Sequence, residues 1–334
     1  MSGMLFKFKA ESWPAPLQAF ESPAGHAHKK YAVYVGGLTD GLLACAYVHK
    51  LGEELDRLGW ALVQPVLSSS YAMYGTSSLA RDAEELSELL LTIDRRSSPM
   101  AFAIIGHSTG CQDAVSLLRV APPAVRAKLR AAVLQAPVSD RESNAATPDP
   151  DGVNKRMLAE AERLVAQGSG DRLLSDKHYG FVPMTASRFL SLAGVLGPDD
   201  MFSSDLSEAD LALRLGHMGT HGQRAGVRAP PSGALPAASV SGIAPQSEQD
   251  GWICDPVPEH PGLRTVFVYS GSDEYVPSFV DVPALAERMV AAAGGASNGA
   301  EAVAIDAANH NLATPSAAAD SFVSCVCQVL KEVE

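Results

Sequence analysis

Four apolar runs limit the folds open to this chain more than any other feature: "KYAVYVGG" (30–37), "MAFAIIGH" (100–107), "RAAVLQAP" (130–137) and "RTVFVYSG" (264–271). Each is nearly continuous rather than alternating, so it has no solvated face. A strand buried on both faces belongs inside a parallel sheet covered on either side. "WALVQPVL" (60–67) carries Pro65, which has no N–H for a ladder, and reads as an edge strand or a strand end. "EAVAID" (301–306) reads as a last strand. Between these runs apolar residues recur at helical spacing over 42–59, 78–94, 111–120, 282–294 and 318–333, with Ser78 placed to cap the second helix. Strand and helix in alternation predict an α/β fold, with a mostly parallel central sheet and helices on both faces.

The alternation breaks between 138 and 262. Helical patterns at 151–174, 183–194 and 205–219 predict a helical lid inserted into the sheet. Residues 222–251 are dominated by Gly, Ala, Pro and Ser without a period, a composition that predicts a mobile surface loop. The chain then divides into an N-terminal core part (1–137), the lid (138–262) and a C-terminal core part (263–334).

A net charge of −12 without a dense Lys/Arg run argues against nucleic acid or an anionic membrane as partner. No apolar run approaches the roughly 20 residues of a membrane span. The first twenty residues lack the apolar stretch of a secretory leader. The five cysteines are odd in number and scattered, as expected of idle thiols in a reducing, cytoplasmic setting. Cys325 and Cys327 are too close together for a zinc pair. Nothing in the sequence reports an oligomeric state.

The chemistry lies in "GHSTG" (106–110), a G-x-S-x-G pattern between an apolar strand and a helix. That context predicts a sharp turn from which Ser108 projects as a nucleophile; the alternative is a serine capping a helix. A serine hydroxyl needs a base to take its proton and an acid to orient the base. On such a sheet the three follow the chain order Ser, acid, His. Asp273 in "SGSDEYVP" and His310 in "DAANHNL" each sit just past a strand and meet that order, with Glu274 and Asp306 as alternative acids. The oxyanion needs two backbone donors. Thr109 is expected to supply one, and Gly37 or Leu38 in "VGGLTDG" the other. That glycine loop lacks the spacing of a phosphate-binding loop. His217 and His221 have the spacing of two metal ligands, but Gly219 lies between them and no Glu follows the first, so no metal site is expected. His107 is expected to pack, and His178 to face either water or substrate from the lid.

"GGLTDGLLACAYV", "GHSTGCQDAV", "SRFLSLAG" followed by "DDMFSSDL", and "SGSDEYVP" together resemble a eukaryotic family of α/β-hydrolases, mostly uncharacterised, that includes the fungal siderophore (fusarinine-type) esterase. The resemblance runs from about residue 30 to the C-terminus. It implies an α/β-hydrolase fold with Ser108 as nucleophile, Asp273 as acid and His310 as base, and lid segments that shape the substrate pocket. The expected activity is hydrolysis of a small-molecule carboxylic ester through an acyl-enzyme, with no metal or organic cofactor. Thioester or peptide hydrolysis and acyl transfer would use the same groups. A non-catalytic binding protein on this fold is the alternative of a different class.

Overall fold

The structure is a computed structural model that describes residues 1–9, 16–23, 28–219, 260 and 262–333. Eight strands form one sheet: β1 (Met4–Lys9), β2 (Leu17–Ser22), β3 (Lys30–Val35), β4 (Trp60–Val66), β5 (Ala101–His107), β6 (Leu129–Gln135), β7 (Arg264–Ser270) and β8 (Ala300–Ile305). Their order is β1-β2-β4-β3-β5-β6-β7-β8, parallel from β4 to β8 and antiparallel at β1 and β2. Every residue of β5 is buried, as are all but the first of β3, which is why these strands read as unbroken apolar runs. β8, at the free edge, is buried only at its two ends and alternates between half-buried and exposed in the middle.

Two expectations need correction here. β4 is not an edge strand, because β2 pairs along its outer side with Ala19 opposite Pro65. The ladder to β3 ends at Val63, so the missing N–H of Pro65 interrupts no bond on that side, and the strand-end reading of Pro65 holds. The helix expected from residue 42 starts only at α1 (Val48–Arg57). The preceding residues form turns in which Leu43 takes a positive φ of 59° and donates its N–H to Gln64 Oε1 at 2.9 Å. The β1–β2 hairpin carried a legible signal, since "MLFKFK" alternates in exposure as a one-sided strand does.

Helices cover both faces. α1 and α10 (Ser316–Glu332) close one side, with Trp60, Leu51, Leu55 and Phe322 fully buried among them. α2 (Leu79–Ser97), α3 (Gly110–Val120) and α9 (Val282–Ala292) close the other. Ser78 caps α2, accepting the Arg81 N–H. Full burial of each large apolar side chain contributes roughly 1.5–3 kcal/mol. The short helix α4 (Pro123–Arg126) precedes β6. Between β6 and β7 stand α5 (Asp140–Ala146), α6 (Val153–Ala166), α7 (Ala186–Ala193) and α8 (Glu208–Leu215). α6 and α7 share a separate apolar cluster with Tyr74. The loop expected at 222–251 lies outside the described residues. Among the described residues no helix is long and apolar enough to cross a membrane.

The sheet order also locates the site. β3 and β5 lie side by side, and the chain leaves β3 toward β4 but β5 toward β6, in opposite directions along the sheet. In an open parallel sheet the crevice at the carboxyl ends of such strands is where ligands bind. The register aligns Val35 with Gly106, His107 with Gln135, and Ser270 with Ile305, so the loops after β3, β5, β6, β7 and β8 share one edge.

Candidate active site

Between β5 and α3 the chain reverses within three residues, and Ser108 sits at the apex with φ +53°. The flanking glycines are steric necessities. A Cβ on Gly106 would lie 2.4 Å from the Gly110 carbonyl oxygen, and one on Gly110 would lie 2.2 Å from that of Val35. These obstacles are backbone and cannot swing aside. Gly110→Ala is therefore expected to destabilise the fold by about 1–3 kcal/mol, read as a fall in the urea midpoint; an unchanged midpoint would contradict this steric account. The loop after β3 comes against the same turn, and a Cβ on Gly37 would meet the Ser108 Cβ at 2.6 Å. Gly37 donates its own N–H to Asp40 Oδ2 at 2.9 Å, whereas the Leu38 and Thr109 N–H groups make no hydrogen bond among the described residues.

His310, after β8, turns Nδ1 toward both oxygens of Asp273, at 2.9 and 2.8 Å. A carboxylate only accepts, so Nδ1 donates, and in the neutral ring this tautomer leaves the lone pair on Nε2. Glu274 does something different: its Oε2 accepts the backbone N–H of His310 at 2.8 Å and fixes the main chain, not the ring. Asp306 is exposed and does not reach the ring. Ser108 and His310 line the same cleft of about 1050 Å³. Ser108 Oγ makes no hydrogen bond among the described residues, and such contacts commonly tighten only when substrate is bound.

Gln135, at the end of β6, ties these loops together. Its Oε1 accepts from His107 Nδ1 at 2.5 Å and from the Tyr47 hydroxyl at 3.2 Å, while its Nε2 donates to the His310 carbonyl at 2.9 Å. Nothing in its sequence neighbourhood marks it, because all three partners arrive from distant segments. The His107 ring packs on that of His310 with centroids 5.0 Å apart. Burial, then the neighbouring His310, lowers its pKa to about 3. A neutral His107 leaves room for charge on His310; a second imidazolium there would oppose it.

His217 and His178 are held by their neighbours. His217 donates Nε2–H to the Val115 carbonyl at 2.9 Å, and Arg119 donates to its Nδ1 at 3.3 Å; His221 lies outside the described residues. His178 lines the cleft, hydrogen-bonds the Tyr74 hydroxyl through Nδ1 at 2.9 Å, and is lowered to about 4 by burial. Asp40, Cys45 and His107 place three ligand atoms within 4.8 Å of one another. Burial raises the Cys45 thiol to about 11, which works against a metal ion there. Cys45, Cys111, Cys325 and Cys327 are free thiols, and Cys254 lies outside the described residues.

A family model described as "Protein of unknown function (DUF1749)" matches residues 1–331. The chain belongs to the DUF1749 family. Among relatives, the UPF0613 protein PB24D3.06c of Schizosaccharomyces pombe is 36% identical over 194 residues, covering 56% of this chain and 61% of that protein. The chain thus spans less than two thirds of that relative. The fusarinine C esterase sidJ of Aspergillus fumigatus is 27% identical over 317 residues, covering 81% of this chain and 79% of its own length. Esterase AN6793 of Emericella nidulans is 28% identical over 327 residues, with 81% and 76% covered. Among solved structures, the siderophore hydrolase EstB from Aspergillus fumigatus superposes with a TM-score of 0.74 at 24% identity, over 100% of this chain and 98% of that one. The fold is that of the α/β-hydrolases, and the resemblance read in the sequence, to a fungal family with siderophore-esterase members, is borne out.

In this DUF1749 chain the segment between β6 and β7 supplies much of the cleft wall. Asp140 and Ser143 come from α5, Val153 from α6, Leu192 from α7, and His178 to Phe181 from the connection between the last two.

Proposed function

We propose that this protein is a serine esterase that hydrolyses small carboxylic esters. The observation that carries the reading is the pairing of His310 Nδ1 with Asp273 beside the cleft that also holds the strained Ser108. His310 Nε2 takes the hydroxyl proton as Ser108 Oγ adds to the ester carbonyl. The oxyanion that forms is met by the N–H groups of Leu38 and Thr109, the two left unpartnered beside Ser108. The tetrahedral intermediate breaks its C–O bond to the alcohol, which leaves with the proton from His310. Water, deprotonated by His310, then adds to the acyl-serine and releases the acid and Ser108. Asp273 holds the tautomer and stabilises the imidazolium throughout. The helices between β6 and β7 serve as a lid that shapes the pocket. Names of relatives as esterase and siderophore hydrolase support the class and suggest fusarinine-type esters among the substrates to try.

The test is labelling by a fluorophosphonate probe together with hydrolysis of p-nitrophenyl acetate and butyrate and of fusarinine C. Well-folded protein that neither labels nor hydrolyses any of them would overturn the reading. Gln135 gives a finer check. Gln135→Leu removes the acceptor of His107 and Tyr47 and the donor to the His310 carbonyl. It is expected to destabilise by about 1–3 kcal/mol and to lower kcat about ten- to a hundredfold by loosening the base, with KM little changed. A rise in KM at unchanged kcat would assign Gln135 to substrate binding.

A further inference from the structure

The cleft wall is charged in one sense. Asp40, Asp140, Asp149, Asp176 and Glu274 line it, against Lys177 as the one cationic side chain among the lining residues, and burial keeps His107 and His178 neutral at pH 7. Most of these carboxylates are engaged. Asp40, Asp149 and Glu274 accept backbone N–H groups, and Asp176 pairs with Arg156 at 3.0 Å. Asp140 is the exception. It accepts from the neutral amide of Gln112 at 3.1 Å and has no ion pair among the described residues.

The same cleft wall carries aromatic rings. Tyr179, Phe181 and Tyr275 line it while 60%, 59% and 45% exposed, the Tyr179 ring resting with one face on His178. The Tyr275 ring meets His310 edge-on with centroids 4.6 Å apart, so this wall adjoins the proposed base. Asp140 is near enough to Tyr179 and His310 for its charge to act on both. Burial, with Asp199 adding to it, raises its carboxyl to about 7 against the opposing charges of Arg188 and His310, although it stands in the first turn of a helix, where a carboxylate is favoured. A ligand cation is what would restore the ionised form. A carboxylate with no ion-pair partner among the described residues, beside partly exposed rings, is the chemistry that selects an alkylammonium, through charge attraction and cation–π contact.

We infer that the cleft binds esters carrying an alkylammonium group, seated against Asp140 and the rings of Tyr179 and Tyr275. The inference rests on the esterase reading and names its substrate class.

Two isosteric ester pairs test it: butyrylcholine against 3,3-dimethylbutyl butyrate, with charge on the alcohol side, and p-nitrophenyl 4-aminobutyrate against p-nitrophenyl pentanoate, with charge on the acyl side. In at least one pair the cationic ester is expected to have the higher kcat/KM by about tenfold or more, and Asp140→Asn to collapse that ratio. Equal or reversed ratios in both pairs, or a ratio that survives Asp140→Asn, would overturn the inference. Calorimetric binding of benzyltrimethylammonium reads the same site without turnover. It is expected to be at least about fivefold weaker in Asp140→Asn and in Tyr179→Ala, and equal affinity in wild type and both variants would also overturn it. Binding without hydrolysis of any ester would instead strike the esterase reading and leave the cation site standing.

Discussion

Ser108→Ala is expected to cut ester turnover by at least about 10⁴-fold, to abolish fluorophosphonate labelling, and to leave the thermal midpoint close to that of the wild type. The reasoning is specific to this turn. The positive φ at Ser108 is imposed by the approach of Gly106 to Gly110 and of Gly110 to Val35, none of which involves the hydroxyl. Oγ makes no hydrogen bond among the described residues, so removing it costs little packing and leaves no buried partner stranded. His310→Ala is expected to match it in turnover, because members of such a unit act together and their losses do not add. Ester hydrolysis that persisted in Ser108→Ala would refute nucleophilic catalysis by this residue. A fall of more than a few degrees in the thermal midpoint would show that the serine serves the fold.

The second large effect is on stability. Arg188, on α7, is 3% exposed; it donates Nη1 to Asp199 Oδ2 at 2.6 Å and Nε to the Tyr74 carbonyl at 3.1 Å. Its charge also acts on Asp82 of α2, Asp113 of α3 and Asp140 of α5, so one guanidinium serves four carboxylates and joins the inserted helices to the core. Burial raises Asp82 to about 7 and Asp113 well above the usual carboxylate range, and Arg188 opposes both shifts. Replacing Arg188 with Met keeps much of the volume but leaves the carboxylates without their cation. Breaking a buried charge set in this way costs about 3–5 kcal/mol, to be measured by urea unfolding at pH 8. The pH dependence has a definite sign. Asp82 and Asp113 titrate higher in the folded chain than the roughly 3.9 of an unfolded Asp, so between those values the folded state holds more protons and stability falls as pH rises. Removing Arg188 raises the folded values further, so the loss is expected to shrink from pH 8 to pH 5. A loss below about 1 kcal/mol at pH 8, or one equal at both pH values, would contradict this account.

Much of the architecture was legible along the chain because its determinants are local. A strand buried on both faces must be apolar throughout, and β3, β5, β6 and β7 are. A reversal from strand to helix at positive φ needs small neighbours, and Gly106 and Gly110 supply them. Ser78 caps α2 by a bond to a residue three positions on. The β1–β2 hairpin went unread even though its alternation was present, since two short strands acquire meaning only when β4 offers them an edge.

What only the tertiary structure decided is which of several plausible groups meet. Asp273 and Glu274 are adjacent and alike in charge, yet the loop presents one to the ring of His310 and the other to its backbone N–H. Gly37 and Leu38 are likewise neighbours, and the turn to Asp40 takes up the N–H of one and not the other. Gln135 has no local mark, and its partners come from 88, 28 and 175 residues away. That Asp140 has no ion pair among the described residues is the same kind of fact. The sequence by itself determined where strands end and where a nucleophile can stand, because those depend on steric and hydrophobic requirements within a few residues. The direction in which each side chain then points depends on loop paths that only the packed sheet and its inserted helices specify.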